Sequence, residues 1–293
     1  MSMSAQRTEL LELQPDVKIH SVVSQPQPPR SPRRPGLPTI VFLHFWGGSS
    51  RTWSLVNPLV SLKYPTVALD FRGWGNSVGP DDADAYSVAD LAGDVESVIT
   101  KLKLGTVVLV GLSMGAKVAQ LVAAHLSSDD GAATLRGVIL VSPAPATPLT
   151  LPPDMLAQQL RAYDNADSAA FVATNVLTES FRSREPPAFV VQDMLRGTSW
   201  AREAWPAYAM AEDVSQVVGR IGAPILVLAA EKDAVEPLER VKREVHECIP
   251  GALLKVLPGS GHLSPLDAPE ALAEHILQFM SGLTLNNVTG EGR

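Results

Sequence analysis

The chain has 293 residues, of which 45% are hydrophobic and 19% are charged, and its formal net charge is −7. A chain of this length and composition can bury a large core, as globular proteins do. The acidic balance and the absence of a basic stripe argue against a nucleic-acid partner. No run is long and apolar enough for a membrane span, and the first residues lack the apolar run of a signal peptide. With the single cysteine, Cys248, which excludes an internal disulfide, these features predict a cytoplasmic protein with no membrane partner.

The first segment of the chain predicts an antiparallel hairpin. Glu9–Leu13 and Val17–Val23 alternate loosely between apolar and polar residues, and Pro15-Asp16 lies between them. A proline-rich stretch follows at residues 25–38. We interpret it as a surface loop that joins two strands, and the alternative is a P-x-x-P segment that binds a proline-recognising partner domain.

From residue 39 onward, continuous apolar runs alternate with segments of helical spacing. Strands that alternate with helices in this way indicate βαβ units and a parallel sheet. The predicted strands are Thr39–His44, Pro65–Leu69, Val107–Val110, Gly137–Val141, Pro224–Ala230 and Leu253–Leu257. The predicted helices between and after them are Trp53–Leu62, Ser87–Lys103, Ala116–Leu126, Leu238–Cys248 and Pro269–Met280.

This alternation breaks between about Thr147 and Asp213, where we find no convincing buried strand. Four helical patterns lie there instead, at Met155–Tyr163, Ser168–Leu177, Ala188–Gly197 and Trp200–Met210. We interpret this segment as a helical insertion, or lid. The chain then divides into an N-terminal core part (1–146), the insertion (147–213), a C-terminal core part (214–282) and a tail (283–293).

The stretch VVLVGLSMG, residues 107–115, has the pattern of a nucleophile elbow. An apolar run meets a G-x-S-x-G turn around Ser113, and a helix-forming run follows at once. Such a sharp turn forces the serine into a strained backbone conformation and requires small neighbours, here Gly111 and Gly115. The pattern predicts that Ser113 is a nucleophile whose Oγ stands clear of the edge of the sheet, with the first amides of the helix directed at the reacting oxygen.

A serine nucleophile requires a base and an acid that orients the base. His262 follows the last predicted strand in a glycine-rich loop, and Asp233 follows the strand before it. Both residues therefore lie at carboxyl ends of strands, where catalysis concentrates in open α/β sheets. Asp267 is the alternative acid, but Asp233 is better placed because a buried strand fixes its position. The order serine, acid, histidine is that of α/β-hydrolases.

Five segments together resemble the α/β-hydrolase fold: LVGLSMG, FLHFWGGSSRTW, DFRGWGNS, LVLAAEKDAVEP and LPGSGHLSPLDAPE. The resemblance covers roughly Val17 to Met280. It implies a mostly parallel eight-stranded sheet flanked by helices, with a helical lid after the sixth strand. It also implies Ser113 as nucleophile, Asp233 as acid and His262 as base.

By the same resemblance, the backbone amides of Met114 and Trp46 would form an oxyanion hole. Most relatives have His-Gly where this chain has His44-Phe45. Since phenylalanine lacks the backbone freedom of glycine, the amide of Phe45 remains the alternative donor. We expect His44 to hydrogen-bond this loop, and we expect Asp70 and Arg72 to be structural.

The expected function is hydrolysis of a small carboxylic ester or lactone through an acyl-enzyme on Ser113. Alternatives on the same triad are a C–C bond hydrolase, a thioesterase and a perhydrolase, and another is a ligand-binding protein without catalysis. The sequence has no paired His or Cys ligands and no G-x-G-x-x-G turn, so we expect neither a metal nor a dinucleotide cofactor. The expected partner is a small-molecule substrate.

Overall fold

The computed structural model of the protein describes residues 4–26, 36–127 and 133–288. Most of the proline-rich stretch at 25–38 lies outside the described residues, and so do residues 289–293 of the predicted tail. Within the described ranges, no helix is both long enough and apolar enough to cross a lipid bilayer.

One eight-stranded sheet forms the centre of the molecule, in the order β1-β2-β4-β3-β5-β6-β7-β8. The hairpin strands pair antiparallel with each other, and β2 pairs antiparallel with β4, whereas the remaining pairs are parallel. The prediction of a mostly parallel eight-stranded sheet is confirmed. The strands are β1 (Ala5–Gln14), β2 (Val17–Gln25), β3 (Thr39–Leu43), β4 (Thr66–Leu69), β5 (Thr106–Leu112), β6 (Thr134–Val141), β7 (Ile225–Ala230) and β8 (Leu253–Leu257).

Three strands of the sheet, β3, β4 and β7, are buried along their whole length. Such burial is typical of strands whose two faces are both covered by helices. The helices are α1 (Asn57–Val60), α2 (Val88–Lys101), α3 (Met114–Leu126), α4 (Pro153–Leu160), α5 (Ala166–Val172), α6 (Ala188–Arg196), α7 (Ser199–Ala207), α8 (Ser215–Val218), α9 (Leu238–Val241), α10 (Ser264–Asp267) and α11 (Pro269–Val288).

The predicted helix Trp53–Leu62 is wrong as a single helix. A short 3₁₀ helix, Ser50–Trp53, ends there, and α1 forms a separate single turn. Pro58 is the second residue of α1 and has no amide hydrogen, so a continuous helix through this point would lack a hydrogen bond. Proline is tolerated in a first turn, and the helix starts again around it.

Two other predicted helices change their winding before they end. The helix predicted over Ser168–Leu177 consists of α5 and a π-helical turn, Ala173–Leu177. The helix predicted over Leu238–Cys248 consists of α9 and a π-helical turn, Lys242–His246. The apolar spacing that predicted both helices does not distinguish a π turn from an α turn.

The two helices nearest the ends of the predicted domains also differ from their predicted bounds. The helix predicted over Trp200–Met210 ends at Ala207, because Tyr208 has a φ of −152° and leaves the helical region. The last helix, α11, continues to Val288, into the stretch assigned to the tail.

The chain leaves the sheet after β6 and returns to it before β7, and the helical insertion (residues 147–213) lies between. The two ends of the insertion are hydrogen-bonded to each other. The amide of Leu149 donates to the carbonyl of Met210 at 3.0 Å, and the amide of Val214 donates to the carbonyl of Ala146 at 2.9 Å. The two ends of the insertion therefore lie side by side, where the chain leaves the sheet and returns to it.

A buried lysine of α3 also joins these two ends. The Nζ of Lys117 donates to the carbonyl of Met210 at 2.9 Å and to the carbonyl of Thr147 at 3.2 Å. The side chain is fully buried. Burial penalises the ammonium ion and lowers the pKa of Lys117 to about 8, although the carboxylates of Glu212 and Asp213 oppose that change.

We expect the stability of the protein to depend on pH through Lys117. Lysine titrates near 10.5 when it is not perturbed, so between about pH 8 and pH 10.5 the unfolded chain binds more protons at this residue. The free energy of unfolding of the wild type should therefore rise with pH in this window, relative to Lys117→Met, by up to about 1.4 kcal/mol for each pH unit. Denaturant titrations of both proteins from pH 7 to 10.5 measure this difference, and parallel curves would contradict it.

Candidate active site

Ser113 lies at the tight backbone turn between β5 and α3. Its φ is +56° and its ψ is −116°, a region that a serine occupies only under constraint. A Cβ on Gly111 would lie 2.3 Å from the carbonyl oxygen of Gly115, and a Cβ on Gly115 would lie 2.5 Å from the carbonyl oxygen of His44. Both flanking glycines are therefore required by close packing, as the sequence pattern predicts.

Asp233 and His262 form a buried pair beyond the carboxyl ends of β7 and β8. The Nδ1 of His262 lies 2.9 Å from the Asp233 Oδ2 and 3.1 Å from its Oδ1. The Asp233 Oδ1 also accepts hydrogen bonds of 2.8 Å from the amides of Val235 and Glu236. These bonds hold the carboxylate and leave the Nε2 of the imidazole directed away from Asp233.

The surroundings of this pair favour its ionised form. Burial opposes charge on Asp233, but His262 and the backbone hydrogen bonds outweigh it, and the pKa of Asp233 is lowered. Burial also opposes charge on His262, but the Asp233 carboxylate and its hydrogen bond outweigh it, and the pKa of His262 is raised. The neighbouring Glu236 is 2% exposed, and burial raises its pKa to about 8.

Parallel pairing brings the serine and this pair to the same edge of the sheet. β5, β6, β7 and β8 are consecutive parallel neighbours, so the segments after their carboxyl ends lie side by side. The side chain of Ser113 is 8% exposed, and that of His262 is almost fully buried. Among the hydrogen bonds of the described residues, none joins the Ser113 hydroxyl to His262. Such bonds often tighten only when substrate is bound.

Asp267, the alternative acid, has a different position. Its Oδ2 accepts 2.8 Å hydrogen bonds from the amides of Gly261 and Glu179, and its Oδ1 accepts from Ser180. The carboxylate therefore ties the backbone of the histidine loop to the helical insertion. The structure pairs His262 with Asp233.

The loop after β3 passes beside the elbow, and His44 controls its shape. The Nε2 of His44 accepts a 3.0 Å hydrogen bond from the amide of Phe71, so its proton is on Nδ1, which donates to the carbonyl of Phe45 at 2.7 Å. Burial lowers the pKa of His44, in keeping with this neutral tautomer. The expectation that His44 hydrogen-bonds this loop is confirmed.

The carbonyl of Phe45 also accepts a 3.0 Å bond from the amide of Gly48, which closes a tight turn. In a trans peptide the N–H points opposite to the C=O, so the amide of Trp46 points away from this turn. In the part of the chain that the structure describes, the amides of Phe45 and Trp46 donate to no acceptor. Met114 begins α3, where a first-turn amide has no partner within the helix.

Asp70 and Arg72 hold the backbone around the loop. Asp70 accepts from the amide of Ser50 at 2.6 Å and from that of Asn76 at 2.8 Å, and its Oδ2 lies 2.9 Å from the Nδ1 of His20. Arg72 forms a buried bidentate pair with Asp94, at 2.6 and 2.7 Å. Both residues make the structural contacts that we expect.

The structure also shows contacts that the sequence reasoning missed. Tyr163 and Asp193 of the helical insertion are buried against the loop after β3. The one local signal is the pair Gly47-Gly48, since adjacent glycines mark a close approach. A Cβ on Gly47 would lie 2.6 Å from the ring of Tyr163.

Comparison with known proteins identifies the family to which the chain belongs. The sequence matches the alpha/beta hydrolase family over residues 40–275. The chain belongs to this family. The non-heme chloroperoxidase CPO-A1 of Kitasatospora aureofaciens is 28% identical over 274 residues, covering 83% of this chain and 92% of the relative.

Two solved structures of this fold illustrate the similarity. The esterase EaEST from Exiguobacterium antarcticum has a TM-score of 0.75 and 22% identity, covering 90% of this chain and 96% of the esterase. The enol-lactonase from Burkholderia xenovorans LB400 has a TM-score of 0.75 and 21% identity, covering 90% and 97% of the two chains. At these identities the similarity establishes the fold.

No group of three or more His, Cys, Asp or Glu side chains in residues 4–26, 36–127 and 133–288 is arranged to hold a metal ion. We therefore assign no ligand set within these residues.

We expect Asp233→Asn to lower the pKa of His262. Without the carboxylate, burial is no longer outweighed and its penalty on the imidazolium lowers the pKa of His262. NMR titration of the histidine ring signals measures the change, with Glu231→Gln as the matched control. Glu231 hydrogen-bonds Gly259 in the same loop but is exposed. A pKa of His262 that stays unchanged in Asp233→Asn, or that changes equally in the control, would contradict the assignment.

Proposed function

We propose that this hydrolase-family protein is a serine hydrolase that cleaves a small carboxylic ester or lactone through an acyl-enzyme on Ser113. One observation carries the proposal. Ser113 lies on a strained turn at the start of α3, and the hydrogen-bonded pair of His262 and Asp233 lies at the same edge of the sheet. Nucleophilic catalysis needs a hydroxyl, a base and an orienting acid in this arrangement.

In the acylation step, the Oγ of Ser113 attacks the carbonyl carbon of the substrate. The Nε2 of His262 takes the hydroxyl proton, and Asp233 stabilises the imidazolium through Nδ1. The tetrahedral intermediate collapses, the bond to the alkoxy oxygen breaks, and His262 gives its proton to the leaving alcohol. A lactone opens in the same way, and its alcohol remains attached to the acyl chain.

In the deacylation step, water attacks the acyl-serine. His262 takes a proton from the water, and then returns it to the Oγ of Ser113 as the carboxylic acid departs. Since His262 must be neutral at the start of both steps, its raised pKa sets the acidic limit of activity.

The amides of Met114 and Trp46 form the oxyanion hole in this proposal. The Trp46 amide is supported over that of Phe45 because the bonds from His44 and Gly48 to the carbonyl of Phe45 fix the peptide that carries it. Donors held in advance cost no reorganisation when charge develops on the oxygen.

The similarity to a non-heme chloroperoxidase favours perhydrolysis as a second candidate. Hydrogen peroxide would replace water in the second step and attack the acyl-serine. The bond between the acyl carbon and the Ser113 Oγ would break, His262 would pass the proton from the peroxide to Oγ, and the acyl group would be released as a peracid. Formation of peracid from an ester and hydrogen peroxide, measured against the rate of carboxylic acid formation, separates the two activities.

We expect the wild type to release p-nitrophenol from short-chain p-nitrophenyl esters and to be labelled at Ser113 by a fluorophosphonate. Ser113→Ala should abolish the labelling and reduce kcat by about 10⁴-fold or more, because the nucleophile is absent. Turnover assays and mass spectrometry of the labelled peptide measure these effects.

Ser281→Ala is the matched control. Ser281 is an exposed serine of α11 whose hydroxyl donates to the carbonyl of Leu277. This variant should behave as the wild type. A folded wild type that neither turns over esters nor reacts with the fluorophosphonate would favour a ligand-binding protein without catalysis.

A further inference from the structure

The helical insertion is joined to the loop after β3 by a closed ring of three hydrogen bonds. The hydroxyl of Tyr163 donates to the carbonyl of Trp46 at 2.9 Å, and the indole Nε1 of Trp46 donates to the carbonyl of Arg202 at 3.0 Å. The Nη1 of Arg202 closes the ring with a 2.6 Å bond to the carbonyl of Tyr163. The rings of Trp46 and Tyr163 also pack together, with centroids 4.2 Å apart.

A second connection lies three residues further along the same loop. Asp193 of α6 accepts a 2.7 Å hydrogen bond from the hydroxyl of Ser49 and pairs with the guanidinium of Arg51. Ser49 is also the N-cap of the 3₁₀ helix that follows, since its Oγ accepts from the amide of Arg51 at 3.0 Å. The carboxylate of Asp193 is 2% exposed, so it is largely shielded from solvent.

The contact of Tyr163 completes the restraint on the backbone of Trp46. Asp193 acts next to it, since it holds Ser49, the residue after the Gly48 whose amide bonds the carbonyl of Phe45. From the core side, His44 and Gly48 hold the peptide before Trp46. From the insertion side, Tyr163 holds the peptide after it. The next residue, Gly47, has a φ of +98° and no side chain of its own, so the local backbone is otherwise permissive.

We propose that Tyr163 and Asp193 are positioning residues for the oxyanion hole, so that the helical insertion helps to stabilise the transition state. This inference depends on the proposed ester hydrolysis and names a further part of the same site. Without the two contacts, the Trp46 amide is held from the core side only, its direction is less narrowly fixed, and less of its interaction energy reaches the developing oxyanion.

Tyr163→Phe tests the inference because it removes only the hydroxyl and keeps the packed ring. We expect kcat to fall about tenfold, with KM changed less than about threefold, since an interaction made only in the transition state is weakened. Inhibition by a trifluoromethyl ketone, whose adduct with serine carries an oxyanion, should weaken by the same factor as kcat/KM. Asp193→Asn is a second variant, and it should shift the same two quantities together.

Tyr208→Phe is the matched control. Tyr208 is also in the helical insertion, and its hydroxyl connects to the core at the carbonyl of Ala83, at 2.8 Å, and the amide of Tyr86, at 3.0 Å. We expect this variant to keep the wild-type kcat and inhibitor affinity. Thermal unfolding of all variants shows whether each remains folded at the assay temperature.

Three outcomes would overturn the inference in distinguishable ways. If the wild type hydrolyses esters and folded Tyr163→Phe and Asp193→Asn match it in kcat and inhibitor affinity, the positioning role is wrong and the proposed hydrolysis stands. If Tyr208→Phe loses as much kcat as Tyr163→Phe, the effect is a general loosening of the insertion and the positioning role is again wrong. If the wild type fails to hydrolyse any ester, the proposed function and this inference fail together.

Discussion

The backbone conformation of Ser113 is the constraint on which the site depends. A residue with φ near +56° at the end of a parallel strand costs on the order of 1–3 kcal/mol and persists only where its surroundings enforce it. The amide of Ser113 donates to the carbonyl of Val141 on the next strand, and its carbonyl accepts from the amide of Ala116. The neighbouring strand and the following helix thus hold the turn from both sides. The stability of the large buried core offsets the free energy of the strained conformation.

The electrostatics of the site follow from deep burial combined with selective partnering. His44 and His262 are both buried histidines, yet their pKa values change in opposite directions. Burial lowers the pKa of His44, whose Nε2 accepts a hydrogen bond from the amide of Phe71 in the neutral form, whereas His262 has the Asp233 carboxylate at its Nδ1. One histidine is thereby suited to fix a backbone, and the other to exchange a proton.

Local sequence patterns predict the parts of the molecule that depend on neighbours in the chain. Ser113, Asp233 and His262 each follow an apolar strand, so parallel topology was enough to place them at one edge of the sheet. Tyr163 and Asp193 were not predicted, because their partners Trp46 and Ser49 are 117 and 144 residues away. No periodicity in a helical segment indicates which of its buried side chains reaches a distant loop. The two π turns were missed for a different reason, since five residues are too few for their apolar spacing to show a change of helical period.

The paired ends of the helical insertion have a consequence for how this chain can vary. Because residues 146 and 214 are hydrogen-bonded neighbours, an insertion of another length can join the same sheet at little entropic cost. The contacts made by Tyr163 and Arg202 restrict that freedom, because they end on Trp46 in the core. A chimera that exchanges the helical insertion between relatives therefore has to exchange the loop after β3 as well. The two segments are structurally coupled although they are far apart in the chain.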